Sequence, residues 1–448
     1  MLSRTMAMAL AVMTLAQGSA AEAQSASVES YSLENGLKVI LAPDTTVQVA
    51  TVNVWYNVGS RNERPGRTGF AHLFEHMMFQ GSANVAKGLH MQLVERAGGS
   101  LNGSTSQDRT NYFQTLPSNR VNLGLWLEAD RMRSLAITDA NLNNQREAVK
   151  EEKRLNFDNP PYIGAYLTGL TSIADSVGCF GYAHPPIGSM GDLDAATTAD
   201  VQSFFDIYYA PNNAILTVTG DFSPAVVKGL IQEYFGSIPR GSAAPPVECA
   251  IRSTPGLERR RMADPKATLP AVLAIYQIPP SNHPDSPALE LLATILGSGE
   301  SSRLNRTLVR ETKAAVVSQG AFRPFGDTRG PGALALLGIS NQGVSPDSLE
   351  SLIVREVAKL VAEGVTEGEL TKVRNQARMA RIGSLQTTLG LSEELQAANL
   401  FWSDPTKVND RLEQYLKVTR EDIQRVAKTY LIPENSILLL IAPPENIP

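Results

Sequence analysis

Two histidines four residues apart, with a glutamate between them, form the most chemically pointed stretch of this sequence: His72, Glu75 and His76. On a helix, positions i and i+4 leave the same face one turn apart. Both imidazoles can then reach one divalent ion at about 2.0–2.1 Å. Glu75 follows His72 by three residues, on nearly the same face. A carboxylate there can take a proton from water beside a metal without itself binding the ion. The order H-x-x-E-H is that of the inverted zincins. Phe70, Leu73, Phe74, Met77, Met78 and Phe79 surround the trio with apolar side chains, which a merely solvated polar stripe would not need.

A hydrolytic zinc site takes three protein ligands and keeps one position open. The helical stretch 141–156 offers Glu147, Glu151 and Glu152. Glu152 falls between Ala148 and Leu155 at i−4 and i+3, with Val149 adjacent, so the pattern sets it on an apolar stripe. Glu151, flanked by Glu147 and Arg154, falls on the polar face. Glu152 is therefore the expected third ligand, and two imidazoles with one carboxylate suit Zn2+.

These residues need elements to hold them. Residues 37–41 and 49–58 read as strands rich in β-branched side chains, 68–79 and 89–97 as helices, and 100–116 as a strand or hairpin. Helices are expected again at 120–135 and 139–157. The later part repeats this mixture, with strands at 271–277, 315–321 and 333–339 and long helices at 346–363 and 367–385.

The chain also repeats itself in detail. Thr197, Asp200, Gln202, Tyr208, Pro211, Asn213, Ile215 and Leu216 recur as Thr419, Asp422, Gln424, Tyr430, Pro433, Asn435, Ile437 and Leu438, at one offset of 222 residues (419 less 197). Duplication accounts for a single register. It predicts a tandem of two homologous α+β domains, residues 24–240 and 265–448. Between them, 241–264 reads as a linker whose Arg259-Arg260-Arg261 patch is solvated.

At 448 residues the chain is too long for one core. Its net charge of -5 and the lack of any long Lys/Arg run give no footprint for nucleic acid. Arg4, an apolar run over 6–15 and then Ala21-Glu22-Ala23 have the order of a secretory signal, so residues 1–23 are expected to be removed on export, to the periplasm in a Gram-negative cell. That run is too short to span a bilayer, and no later stretch of 18 apolar residues follows. Two cysteines, Cys179 and Cys249, either pair in an oxidising compartment or remain two buried thiols.

With these pieces in place, the sequence resembles the pitrilysin/insulinase family of metallopeptidases, to which mitochondrial processing peptidase belongs. The likeness covers the whole mature chain. It is most specific in HLFEH at 72–76, GGSLNGSTSQDRTNYFQTLP at 98–117, QREAVKEE at 145–152 and LGSGESSRL at 296–304. The resemblance implies zinc on His72, His76 and Glu152, with Glu75 as general base. It also implies a substrate-binding strand after Gly99 in which Asn102 meets the scissile region, where an ordinary turn asparagine is the alternative. Each two-domain chain of the family forms half of a clam-shell chamber.

Two departures qualify this expectation. Many members carry a second glutamate seven residues before the metal-binding one, and Gln145 stands there. Its amide can still orient a neighbouring ligand, so altered tuning is expected, with zinc retained. Family enzymes also take an arginine and, seven residues later, a tyrosine from the second half of the chamber. Here Arg310 is present, read as a surface charge, but Val317 replaces the tyrosine and cannot donate a hydrogen bond. At the 222 offset, Thr294, Gly297 and Ser298 face His72, Glu75 and His76, and Arg374 faces Glu152, so the second domain is expected to be non-catalytic. A zinc endopeptidase completed by a homologous, non-catalytic chain follows, with a homodimer as the second possibility. A non-catalytic assembly subunit is the alternative function.

Overall fold

Three of the polar pairs matched in the repeat perform the same local task in both copies. Thr197 accepts from the backbone N–H of Asp200 while the Asp200 carboxylate accepts from that of Thr197, capping the helix Thr198–Tyr208. Thr419 and Asp422 cap Arg420–Tyr430 in the same way. Pro211 and Pro433 then open matching 3-10 turns. Asn213 and Asn435 close them, donating to the carbonyls of Tyr208 and Tyr430 at 2.8 and 2.7 Å.

This computed structural model describes residues 27–250 and 258–444, so the expected export signal at 1–23 lies outside it. Six strands form the first sheet: β1 (Glu29–Ser32), β2 (Lys38–Pro43), β3 (Val49–Tyr56), β4 (Ser100–Thr105), β5 (Thr110–Pro117) and β6 (Ala214–Gly220). Their order is β1-β2-β6-β3-β5-β4. The second sheet holds β7 (Glu258–Ala263), β8 (Ala271–Ile278), β9 (Ala315–Phe322), β10 (Gly332–Ser340) and β11 (Ser436–Ala442), in the order β7-β11-β8-β10-β9. In each sheet one pair is parallel, β2 with β6 and β7 with β11, and the rest are antiparallel. The offset of 222 residues carries β3 onto β8 and β6 onto β11 end to end (271 less 49, 436 less 214). The architecture is the expected α+β tandem.

One detail differs from expectation, and two open alternatives are decided. Residues 258–263 of the expected linker are the edge strand β7. Arg259 and Arg261 are not free in solvent there, because they pair with Asp347 and Glu350 on a neighbouring helix. An arginine-rich edge strand lacks the apolar signature of a buried one, and its charges discourage further strand pairing. Residues 100–116 resolve into a hairpin of β4 and β5. Cys179 and Cys249 form a disulfide, settling which alternative holds.

Two helices outside the expected set explain how the halves meet. On β3, Ala50, Val52, Val54 and Tyr56 enter the core beneath the first half's own helices, while Thr51, Asn53 and Trp55 alternate to the other face. That face is covered by Thr388–Trp402, a helix from the second half, with Asn53 donating to Ser392 and Glu393 at 2.9 and 2.7 Å. Conversely Ile163–Thr171, from the first half, packs Ala165 and Leu170 against Leu273, Ile275 and Leu439 of the second sheet. A Cβ at Gly169 would lie 2.5 Å from Ile275 Cδ1, so glycine permits this close approach. The halves thus exchange one helix each. Among the described residues no helix is long and apolar enough to cross a membrane.

Candidate metal centre

The helix Phe70–Met77 carries His72, Glu75 and His76. It starts at Gly69, whose φ of 85 places it in the left-handed region. Its first N–H groups do not go unmet. The buried carboxylate of Glu63 accepts from the backbone N–H groups of Gly69 and Ala71, each at 2.8 Å. Burial pushes Glu63 well above the usual carboxylate range, against the pull of these N–H groups. Phe70, Leu73, Phe74 and Met77 lock the opposite face into the core, and Phe74 packs on Tyr209 with ring centroids 4.1 Å apart. The polar trio therefore has one direction in which to point.

Glu152 arrives on the helix Asp139–Lys153, capped by the Thr138 hydroxyl. Here the apolar-stripe reading of Ala148 and Leu155 fails. Ala148 is exposed and Leu155 is 59% exposed. The buried positions are Leu142 and Val149, and Glu152 follows Val149 by three. Arg146, donating to the carbonyls of Leu193 and Ala196, fixes the helix's rotation. Glu151 faces outward and pairs with Arg154, as expected.

These helices bring Glu152 Oε2 to 3.3 Å from His76 Nε2 and 3.7 Å from His72 Nε2. One ligand atom from each of the three residues lies within 4.8 Å of the others, the only such set among the described residues. Bonds of about 2.0–2.1 Å in a tetrahedron put neighbouring ligand atoms about 3.3–3.4 Å apart, close to the two separations from Glu152. Gln145 Oε1 lies 3.3 Å from His76 Nδ1. An amide oxygen accepts, so it suits a proton on His76 Nδ1, while Nε2, the ring nitrogen beside Glu152, is the one a metal would take.

The electrostatics suit a cation. Burial, with His76 nearby, holds His72 down at about 4, leaving its imidazole neutral. The His76 hydrogen bond, with help from His72, keeps Glu152 below the usual carboxylate range despite burial. For His76 itself, burial is outweighed by Glu152 and Glu75, and its pKa rises. A metal at Nε2 competes with the proton shared there with Glu152, so binding weakens as pH falls.

Glu75 does not join the ligand set. Its Oε2 accepts from Thr105 Oγ1 at 2.6 Å, and a Cβ on Gly103 would lie 3.2 Å from its Cγ. Burial raises its pKa, against the lowering by Thr105. Both neighbours stand on β4, and sequence reasoning missed them. Alternation along that strand was the available signal, since Gly103 and Thr105 share the face that meets the helix. Asn102, by the same alternation, points to the other face and is exposed, its amide oxygen accepting from the N–H of Gly103 at 2.9 Å. In the second half, Arg310 is 55% exposed and paired with Glu300. Gly297 packs on Gly320. Arg374 donates to the Val418 carbonyl.

A helix with the His-x-x-Glu-His order in the first copy of a duplicated α+β fold, without a counterpart in the second copy, marks out one class of metallopeptidase. Residues 38–161 match the model of insulinase (peptidase family M16), and 195–377 match that of the peptidase M16 inactive domain. The chain belongs to this family. It is 31% identical over 418 residues to zinc protease PqqE of Helicobacter pylori, covering 93% of each chain. Among solved structures it is similar to a protease from Helicobacter pylori, at 29% identity and a TM-score of 0.86, covering 93% of this chain and all of that one (100%). The fold also matches the periplasmic protease PqqL of Escherichia coli, at 17% identity and a TM-score of 0.73, over 93% of this chain but 48% of that one.

Proposed function

We propose that this chain is an exported, zinc-dependent endopeptidase for extended peptides, completed by a second two-domain chain. The observation that carries the reading is the position of Glu75. It is a half-buried carboxylate beside three convergent ligand atoms, fixed by Thr105 and not itself a ligand. A zinc ion held by His72, His76 and Glu152 would supply Lewis-acid activation of water and of the scissile carbonyl. Glu75 takes one proton from the attacking water as the water oxygen bonds to the carbonyl carbon. It returns that proton to the peptide nitrogen as the C–N bond breaks. Its raised proton affinity favours the first transfer.

The substrate side is β4. It ends the sheet order, so one of its edges is unpaired among the described strands. An extended peptide can add there through main-chain hydrogen bonds without a fixed sequence, with Asn102 on the exposed face beside it. The need for a partner rests on Arg310, already engaged by Glu300, and on Val317, which has no donor for a developing oxyanion. A chain that matches about half of PqqL suits this arrangement, the partner being a homologous, non-catalytic chain or a second copy.

The test is metal content and cleavage of a quenched peptide library by the mature chain, alone and mixed with its homologue, beside Glu75→Gln. Stoichiometric zinc and cleavage lost in Glu75→Gln are expected. Absence of both metal and cleavage in every mixture would instead favour a non-catalytic assembly subunit.

A further inference from the structure

Deep burial of a carboxylate at a hairpin turn needs an explanation, and Asp108 is fully buried between β4 and β5. It collects donors from three directions. Tyr182 donates its hydroxyl at 3.0 Å, and Arg61 Nε lies at 3.3 Å, both from the first half. The third comes from the second half. Arg329 donates its side-chain Nε at 3.0 Å and its backbone N–H at 3.2 Å to the two carboxylate oxygens, and reaches on to Asn57. Gly330 lies flat on the Tyr182 ring, where a Cβ would come within 2.5 Å.

A second contact from the other half reaches the same hairpin. Glu393, on the helix exchanged from the second half, accepts from Asn111 at 2.8 Å and from Trp55 at 3.3 Å. Asn111 Oδ1 in turn accepts from Ser104 Oγ at 2.7 Å. Ser104 is the neighbour of Thr105, which holds Glu75. One hairpin of 18 residues, 100–117, is therefore gripped at its turn and at the second strand pair beyond it, Ser104 with Asn111, by two side chains from the half that has no metal ligands.

We infer that Arg329 and Glu393 are positioning residues of the second half, which set β4, and through Thr105 the carboxylate of Glu75, for the reaction of the first. The inference rests on the peptidase reading for its catalytic consequence and on geometry alone for its mechanical one. The second domain is then a working part of each active site, not only a wall of the chamber. The hydrogen bonds of Arg329 and Glu393 go to Asp108, Asn57, Asn53, Trp55 and Asn111, none of them on the ligand helices.

The test compares full-length Arg329→Gln, Arg329→Lys and Glu393→Gln with wild type, by hydrogen exchange over 100–117, zinc content and peptide cleavage. Arg303→Gln serves as the control, since it breaks an ion pair within the second half at a distance from the hairpin. Arg329→Gln and Glu393→Gln are expected to speed hairpin exchange and lower kcat by about tenfold or more, with KM nearly unchanged and zinc retained. Arg329→Lys should recover part of both. Arg303→Gln should lower thermal stability while leaving hairpin exchange and kcat as in wild type. Wild-type exchange in both Arg329→Gln and Glu393→Gln, or equal loosening in Arg303→Gln, overturns the inference. If wild type shows no Glu75-dependent cleavage, the peptidase reading fails separately, and hairpin exchange still decides the mechanical claim. Should Arg329→Gln not fold, Arg329→Lys and Glu393→Gln carry the same comparison.

Discussion

Thr105 Oγ1 donates to Glu75 Oε2 at 2.6 Å, so the carboxylate proposed as the base is oriented by a strand that is also the sheet's free edge. Base and peptide-binding edge are thereby one mechanical unit. A peptide that shifts β4 on binding shifts the carboxylate that would serve it.

Removing that hydrogen bond tests the unit. Thr105→Val keeps the shape and loses the donor, and should lower kcat by roughly tenfold to a hundredfold, the range typical of misplaced general bases. Thr105→Ser should stay close to wild type. Gly103→Ala, whose new Cβ meets Glu75 Cγ at 3.2 Å, should lower kcat with Thr105 intact. Zinc content should be unchanged in all three, and a variant that loses zinc with activity would point to a fault in the ligand set instead.

Gln145 bears on the metal and not on the base. Its oxygen faces His76 Nδ1 at 3.3 Å, and outer partners of this kind change metal affinity by about 10–100-fold when removed. Gln145→Ala should weaken zinc binding within that range in a competition titration with a chromogenic chelator. Gln145→Glu keeps the acceptor and adds a charge, and should bind zinc more tightly than wild type.

Acid stability should depend on an ion pair in the second half. Arg303 grips Glu369 at 2.7 and 2.8 Å, and Glu369 caps its helix through Thr366. Burial alone would raise the Glu369 pKa, but Arg303 and the Thr366 N–H outweigh it and bring it down to about 2. A depressed folded-state value stabilises the fold above the unfolded pKa near 4.5, and this contribution is lost as pH falls from there toward 2. For a side chain 19% exposed, it is worth on the order of 2 kcal/mol at neutral pH. Glu369→Gln should therefore lower stability at pH 7 and match wild type near pH 2 in urea denaturation.

The disulfide offers a further check. Cys179 and Cys249 close a loop with a sequence separation of 70, for which chain entropy gives about 4 kcal/mol. Reduction, or Cys179→Ser with Cys249→Ser, should lower the unfolding midpoint accordingly. Since Tyr182 packs beside the bond and donates to Asp108, faster exchange of residues 106–109 should accompany it.

What the sequence made legible was what lay within one element or one register. His72, Glu75 and His76 share a helix turn, and the repeat shares one offset, so spacing alone exposed both. Glu152 was reached through Ala148 and Leu155, which the structure leaves exposed. The inference rested on helix rotation, which is set by Arg146 bonding to a distant loop. Thr105 and Gly103 were hidden because their importance depends on which face of β4 meets the helix. Asp108 and Arg329 lie 221 residues apart, and no pattern in either stretch announces the other. β7 was hidden for a different reason, since its arginines read as solvent-exposed chain until Asp347 and Glu350 come to meet them.

The exchanged helix Thr388–Trp402 also imposes a timetable. The last strand of the first sheet ends at Gly220, so about 170 residues must follow (388 less 220) before the ribosome delivers the cover for Thr51, Asn53 and Trp55. At roughly 5–20 residues per second that is a wait on the order of ten seconds or more, with one face of a six-stranded sheet bare. A nascent chain in that state is a natural client for a holdase.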